Sequence, residues 1–234
     1  MLRVLVAEDE ATIRGFIVLN LRRHGYEPVE ASSGDEALEI FDREDGNFQI
    51  ALLDIMMPGT DGLEVCRRLR AMNSTMGIIM LTAKAQESDK IKGLGLGADD
   101  YITKPFSPSE LMARLESLSR RVEHSITLVK ENPVAEVLTS GEFVLNLRRR
   151  TLSKNGEDIE LTQLEYQIME YFFTHPGQEL DREDILLRVW GDGYAGEEKI
   201  VDVNIRRLRM KIEDDPSKPV HVKTVWGRGY KWIK

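Results

Sequence analysis

Five times within residues 1–121 a short apolar run gives way to a segment with helical spacing, and this alternation limits the fold more than any other feature of the chain. The runs fall at residues 3–7, 26–31, 48–54, 77–82 and 99–103. The helical segments fall at 11–24, with Ile13, Phe16, Ile17 and Leu21 on one face, at 33–41, at 62–72, from about 87 to 95 or 97, and at 108–121. Parallel strands need crossover helices, so five such units predict an α/β fold, a doubly wound five-stranded parallel sheet. Ligands of such sheets bind outside the carboxyl ends of the strands.

The third run, Ile50-Ala51-Leu52-Leu53-Asp54, stops at one carboxylate, and Met56-Met57-Pro58-Gly59 follows. That is the pattern of a strand buried on both faces and then a turn, which puts Asp54 at the mouth of the sheet. The first run ends in Glu8-Asp9-Glu10, the fourth in Thr82, and the fifth in Lys104-Pro105. If all are parallel strands of one sheet, these side chains meet at one rim. Carboxylates about 4 Å apart repel by roughly 4 kcal/mol at an effective dielectric near 20, so the cluster must take a proton or hold a cation. Oxygen ligands in an open cleft favour Mg²⁺, and a cation beside a remaining carboxylate suits phosphoryl transfer to it. Lys104 and the Thr82 hydroxyl then supply the charge and the donor that phosphoryl oxygens require. Plainer readings exist for each residue alone: Glu8 and Asp9 capping a helix, Thr82 as a β-branched strand residue, Lys104 extended into solvent.

Composition narrows the setting. With 234 residues, 41% hydrophobic and 31% charged, the chain has room for two ordinary domains. No apolar run nears the roughly 18 residues of a membrane span, and the short stretch before Glu8 does not make a signal peptide. The single cysteine, Cys66, excludes an internal disulfide framework and points to a reducing compartment, hence the cytoplasm. The net charge of −8 hides a gradient: residues 199–234 hold ten Lys/Arg against four Asp/Glu, and residues 123–198 hold seven against sixteen. A basic end on an acidic chain marks a local anion-binding surface.

Strand–helix alternation stops at about residue 122, and residues 122–137, with Asn132-Pro133, form the predicted linker between a domain at 1–121 and one at 138–234. Short strands follow at 142–147 and 151–152 around Asn155-Gly156, helices at 164–174, 182–190 and 200–212, and a terminal hairpin at 221–233 around Gly227-Arg228-Gly229. Three helices and a hairpin describe a winged helix-turn-helix. In the last helix Val201, Ile205, Leu208 and Ile212 share one stripe, and the opposite side carries Lys199, Val203, Arg206, Arg207 and Met210, flanked by Asn204, Lys211 and Arg209. A solvated basic helix is the plain reading. A major-groove reading helix is the sharper one, with cations for phosphates and planar donors for base edges.

These residues carry a family resemblance. Glu8-Asp9, Asp54 with Met56-Met57-Pro58-Gly59 and Asp61-Gly62, Leu81-Thr82-Ala83, and the stretch from Gly97 to Phe106 resemble a response-regulator receiver domain over residues 1–121. Leu161–Tyr166, Val189-Trp190-Gly191, Val201–Arg209 and Thr224–Tyr230 resemble the OmpR/PhoB-type effector domain over residues 138–234. The resemblance implies that Asp54 is the phosphoacceptor, that Glu8, Asp9, Asp54 and the Met56 carbonyl bind Mg²⁺, and that Thr82 and Lys104 contact the phosphoryl group. It further implies a cis bond before Pro105 and Tyr101 as an aromatic switch partner of Thr82. In the effector half it implies base reading by Asn204, Arg206 and Arg207, and phosphate contacts from Lys199, Arg209 and Trp190. Trp226 stands where some members carry a groove-probing arginine, which moves the wing-tip role to Arg228, and Asn204 stands where a histidine is known in some members.

The family also forms a two-fold dimer through its fourth and fifth helices. Carried over, this gives Lys90–Glu110, Asp99–Arg114 and Asp100–Arg121 pairs around Ile91, Leu94 and Ala113. Implied partners are a sensor histidine kinase, double-stranded promoter DNA, a second copy on phosphorylation, and RNA polymerase as a candidate, with no membrane. Two rivals stay open. An aspartyl-phosphate phosphatase would want a second carboxylate two residues after Asp54, where Met56 stands. A DNA binder indifferent to phosphorylation would keep the pocket as structure only.

Overall fold

The computed structural model describes residues 1–83, 96–127, 137–191, 194 and 197–234. The chain divides into two compact units, Met1–Val122 and Glu123–Lys234.

In the first unit β1 (Arg3–Ala7), β2 (Glu27–Ala31), β3 (Ile50–Asp54), β4 (Gly77–Ala83) and β5 (Asp100–Lys104) form one sheet in the order β2-β1-β3-β4-β5, all neighbours parallel. The chain leaves β1 for β2 on one side and returns to β3 on the other, which makes the carboxyl ends of β1 and β3 the switch point. Helices α1 (Ala11–Arg23), α2 (Gly34–Arg43) and α3 (Gly62–Met72) supply the crossovers among the described residues, and α4 (Pro108–Thr127) follows the last strand. The helix expected from about residue 87 lies almost wholly outside them.

All of β3 is buried, as a central strand covered on both faces must be. Alternate residues of the strands, Val4, Val6, Ile50, Leu52, Ile79, Leu81 and Ile102, join Ile17 and Leu21 of α1 and Leu111 and Leu115 of α4 in one core. Burial of such side chains stabilises by about 1.5–3 kcal/mol each, which anchors the strand ends that carry the acids. Cys66 is buried on α3.

Helix starts are marked by side-chain caps. Ser33 Oγ accepts from Glu36 N at 3.2 Å to open α2, and Asp61 Oδ1 accepts from Glu64 N at 2.8 Å to open α3. Gly62 then has a steric role, because a Cβ there would stand 1.9 Å from the Asp54 carbonyl oxygen. Only glycine lets the start of α3 close against the end of β3.

The expected linker is shortened at both ends. The last helix of the first half runs to Thr127 rather than Arg121, and Val137 already belongs to β6. In the second unit β6 (Val137–Ser140), β7 (Phe143–Asn146), β8 (Thr151–Lys154) and β9 (Glu157–Ile159) make an antiparallel sheet. Helices α5 (Gln163–Thr174), α6 (Arg182–Trp190) and α7 (Lys199–Ile212) follow. A second small sheet has the order β10-β12-β11, from β10 (Glu179–Asp181), β11 (Val222–Val225) and β12 (Gly229–Trp232). The periodicity missed β6, β9 and β10, strands of three or four residues too short to show one.

Thr162 and Glu165 form a reciprocal capping box at α5, with the Thr162 N–H donating to Glu165 Oε2 at 2.8 Å. Trp190, Trp232, Phe143 and Phe172 fill the core of this unit, and the Trp232 indole N–H is satisfied by Ser140 Oγ at 2.7 Å.

Candidate functional site

The carboxyl rim of the parallel sheet gathers the residues singled out from separate stretches of sequence. Glu8 and Asp9 follow β1, Asp54 ends β3, Thr82 lies near the end of β4, and Lys104 ends β5. One carboxylate oxygen from each of Glu8, Asp9 and Asp54 lies within 4.8 Å of the other two. Lys104 Nζ stands 2.7 Å from Glu8 Oε2 and 2.9 Å from Asp54 Oδ2. In the strand register Asp54 faces Leu81, so Thr82 sits one residue further along the neighbouring strand, and its hydroxyl donates to the Ala83 carbonyl at 3.3 Å. Glu8, Asp54 and Thr82 are buried, whereas Asp9 is exposed.

The plain readings do not describe Glu8, Asp9 or Lys104, whereas Thr82 does sit in β4 as a buried strand residue. The N-cap position of α1 falls on Glu10, where no side-chain cap bond is made, so Glu8 and Asp9 do not cap the helix. Instead Arg14 Nη1 donates to the Glu8 carbonyl at 2.7 Å and to the Asp9 carbonyl at 3.3 Å, fastening the acidic loop to α1. Lys104 does not extend into solvent but bridges two carboxylates. Burial, with the Asp54 charge beside it, holds the Glu8 carboxyl above its usual value despite Lys104. Burial works against the Lys104 ammonium, yet its bonds to Glu8 and Asp54 outweigh this and raise it. A buried acid that resists its own charge gains from any cation delivered nearby. Three oxygens this close are a hard donor set of the kind that Mg²⁺ accepts, so the residues present fit that ion.

Met56 follows β3 by two residues with an exposed side chain, and Tyr101 on β5 is buried. The peptide bond before Pro105 is cis, as the family resemblance implied.

The surface expected to join two copies is described only in part. Lys90, Ile91, Leu94 and the Arg121 side chain lie outside the described residues. Asp99 does not face outward: its Oδ2 accepts from Arg70 Nη2 at 2.8 Å and from the Ile78 N–H at 2.7 Å, withdrawn from solvent. Arg114 Nη1 pairs with Asp100 of its own chain at 3.2 Å, and Arg114 Nη2 reaches Glu110 at 3.3 Å. Asp99 and Arg114, expected to pair across two copies, thus each have partners within the chain. Ala113 is exposed.

On α7 the buried stripe is wider than the four residues expected, because it includes Ile200, Val201, Asn204, Ile205, Arg207, Leu208 and Ile212. Asn204 is 0% exposed and its amide donates to the Ile200 carbonyl at 2.9 Å. Arg207 is 7% exposed and pairs with the buried Glu165 at 3.2 Å. Neither lies on an exposed reading face. Trp190 is buried in the core, and Arg209 spends its guanidinium on the Val222 carbonyl, at 2.6 Å and 3.0 Å, and on Thr224 Oγ1 at 2.9 Å. Of the DNA set, Lys199, Arg206 and Arg228 are exposed, and Lys211 and Met210 are exposed beside them.

Two functional supports went unforeseen. Asp202 Oδ1 accepts from Tyr230 Oη at 2.6 Å and from Arg182 Nε at 2.7 Å, and Arg182 Nη1 donates to the Arg228 carbonyl at 2.9 Å. This clamp fixes α7, the start of α6 and the hairpin together. Arg70 crosses from α3 to the segment before β5, donating to the Gly97, Ser74 and Met76 carbonyls. Asp202 lies 20 and 28 residues from Arg182 and Tyr230, and Arg70 lies 27 from Gly97, separations that leave no local periodicity by which to find them.

A doubly wound parallel sheet with an acid–lysine–hydroxyl rim, followed by three helices and a terminal hairpin, is the architecture of a receiver domain with a winged-helix domain. The response regulator receiver domain model matches residues 4–116, and the model for the C-terminal domain of transcriptional regulatory proteins matches residues 156–232. The chain belongs to the response regulators of the OmpR/PhoB type and is a transcriptional regulator, not a classical enzyme. Among solved structures it is similar to a cysteine-to-serine mutant of RitR, 25% identical over 100% of both chains with a TM-score of 0.78. It is also similar to DrrB, an OmpR/PhoB homologue of Thermotoga maritima, 29% identical over 100% of both chains with a TM-score of 0.51. A response regulator receiver domain protein of Clostridium thermocellum is 27% identical, over 53% of this chain and 98% of that one, with a TM-score of 0.50.

Proposed function

We propose that this regulator is phosphorylated on Asp54 by a sensor histidine kinase, and that the phosphorylated form dimerises and binds promoter DNA. The observation that carries the reading is the rim itself: Asp54 Oδ2 lies 2.9 Å from Lys104 Nζ, within a set of three acids whose oxygens approach to 4.8 Å. Nothing in an ordinary soluble core calls for burying Glu8 and Asp54 together.

In this scheme an Asp54 oxygen attacks the phosphorus of a phosphoimidazole. The P–N bond breaks, the imidazole of the kinase leaves, and an acyl phosphate forms. Mg²⁺, held by Glu8, Asp9, Asp54 and the Met56 carbonyl, supplies charge neutralisation for the phosphoryl oxygens when bound. Lys104 then moves its pairing from the carboxylates toward the new anion, and the Thr82 hydroxyl exchanges the Ala83 carbonyl for a phosphoryl oxygen. Tyr101, buried on the neighbouring strand, follows the vacated space. Water later attacks the phosphorus, releasing inorganic phosphate and restoring the carboxylate.

Dimerisation is assigned to the surface around Glu110 and Ala113, with Lys90, Ile91, Leu94 and Arg121 as its remaining members. Two effector domains on one duplex gain affinity by avidity without a new contact. A switching bias of about 5.5 kcal/mol would take a 1:99 mixture to 99:1. Lys199, Arg206 and Arg228 are the proposed DNA contacts, and RNA polymerase and a cytoplasmic setting complete the scheme.

The scheme is tested by incubating the full chain with an acyl-phosphate donor and Mg²⁺, then following intact mass, oligomeric state and DNA affinity. A phosphoryl adduct that D54A abolishes supports the site, and equal labelling of D54A overturns it. An adduct that leaves both oligomeric state and DNA affinity unchanged overturns the switching scheme while sparing the site.

A further inference from the structure

Glu8 and Asp9 are consecutive residues, yet an oxygen of each carboxylate lies within 4.8 Å of the other and of Asp54. Neighbouring side chains of an extended strand point to opposite faces. The chain must therefore leave the extended conformation directly after β1, which ends at Ala7. A bend that gathers two carboxylates works against their repulsion, so it needs an anchor.

Arg14 supplies one. Its backbone N–H donates to the Glu10 carbonyl at 2.9 Å, the first hydrogen bond of the α1 ladder. The Glu8 and Asp9 carbonyls precede that ladder, and the Arg14 side chain reaches back to both, with Nη1 donating at 2.7 Å and 3.3 Å. One residue thus holds three consecutive carbonyls, those of Glu8, Asp9 and Glu10. On the other side the Glu8 N–H donates to the Ala31 carbonyl at the end of β2, at 3.1 Å. The remaining edge of the guanidinium is met by Glu30, whose Oε2 lies 3.6 Å from Arg14 Nε. Where Lys104 pairs with the rim carboxylates themselves, Arg14 binds the carbonyls behind them.

We infer that Arg14 is a positioning residue for the divalent cation, holding the chain in the bend that turns the Glu8 and Asp9 carboxylates toward one ion. The inference rests on the Mg²⁺ reading of the rim above and adds the residue that sets the affinity. Groups that orient a metal's ligands change affinity by about 10–100-fold when they are removed. Charge and geometry give opposite signs here. Removing a cation near a divalent ion tightens binding by Coulomb's law alone, whereas releasing the bend weakens it.

The experiment titrates the full-length chain with Mg²⁺ by calorimetry and follows its unfolding by denaturant in parallel. R14A is expected to bind Mg²⁺ about tenfold more weakly than the parent. R14K keeps the charge without the planar fork and is expected to fall between the two. The Mg²⁺ concentration for half-maximal labelling by an acyl phosphate is expected to rise with the dissociation constant. R14A binding as tightly as the parent, or more tightly, overturns the inference and leaves the ion assignment standing. A slower maximal labelling rate at an unchanged Mg²⁺ requirement overturns it too. If R14A does not fold, R14K carries the test, and parent-like binding by R14K overturns the inference. A parent chain that takes up no Mg²⁺ overturns both readings.

Discussion

Arg207 Nη2 lies 3.2 Å from Glu165 Oε1, and both side chains are closed off from solvent. The same carboxylate accepts from Lys211 Nζ at 2.7 Å and from the Thr162 N–H at 2.8 Å. One acid therefore completes the cap of α5 and neutralises two cations of α7. Truncating one partner of a buried pair costs about 3–5 kcal/mol, since the other charge remains without its counterpart. E165Q keeps the shape and part of the cap but not the charge, and it is expected to lower the stability of the second unit by that order. Denaturant unfolding followed through the buried tryptophans checks this, and an unchanged midpoint would remove the pair from the account.

The same residue sets an acid limb. Burial alone would raise the Glu165 carboxyl, but Arg207 and then Lys211 together outweigh it and hold the group below the usual 4.5. A depressed carboxylate contributes its full stability above the unfolded value and loses it as pH falls through the lower folded value. The second unit is expected to weaken as pH drops below about 4.5, and E165Q is expected to flatten that part of the profile. Parallel stability curves for the two proteins between neutral and acid pH would contradict it.

The pocket was legible because strand-end chemistry is local: a buried run that stops at a carboxylate puts that carboxylate at the rim, and the sheet does the rest. Glu8, Asp54, Thr82 and Lys104 all obey this. The reading face of α7 was not legible in the same way. Four apolar residues suggested a narrow stripe, but α7 buries seven residues, so Asn204 and Arg207 turned inward. Polar residues at the margin of an apolar stripe are assigned by their partners, and Glu165 is 42 residues away in sequence from Arg207. Asp99 departs from expectation for a similar reason, because the cation that draws it inward, Arg70, sits on a different element.

That inward turn yields its own prediction. Arg70 offers a planar set of donors to four backbone carbonyls and to Asp99, at distances from 2.6 Å to 3.3 Å. R70A strands the buried Asp99 and is expected to destabilise the first unit by about 3–5 kcal/mol. R70K is expected to recover little, since an ammonium cannot reproduce the fork. Pairing R70A with D99N is expected to cost less than the sum of the single changes, because the stranded charge is gone. Strict additivity in a double-mutant cycle would show that the two residues do not act together.

Lys104 competes with any cation for the acids it holds. Its Nζ reaches Glu8 at 2.7 Å and Asp54 at 2.9 Å, so an incoming divalent ion meets carboxylates already partly neutralised. Removing one positive charge at such range from a doubly charged ion is worth on the order of 1–2 kcal/mol in a water-accessible cleft, after screening. K104M is therefore expected to bind Mg²⁺ about tenfold more tightly than the parent, as read by isothermal titration, although it loses the cation proposed for the phosphoryl group. The same variant should label more slowly with an acyl phosphate, which separates the two roles of one side chain. Weaker Mg²⁺ binding by K104M would mean that the lysine organises the acids rather than competing for them.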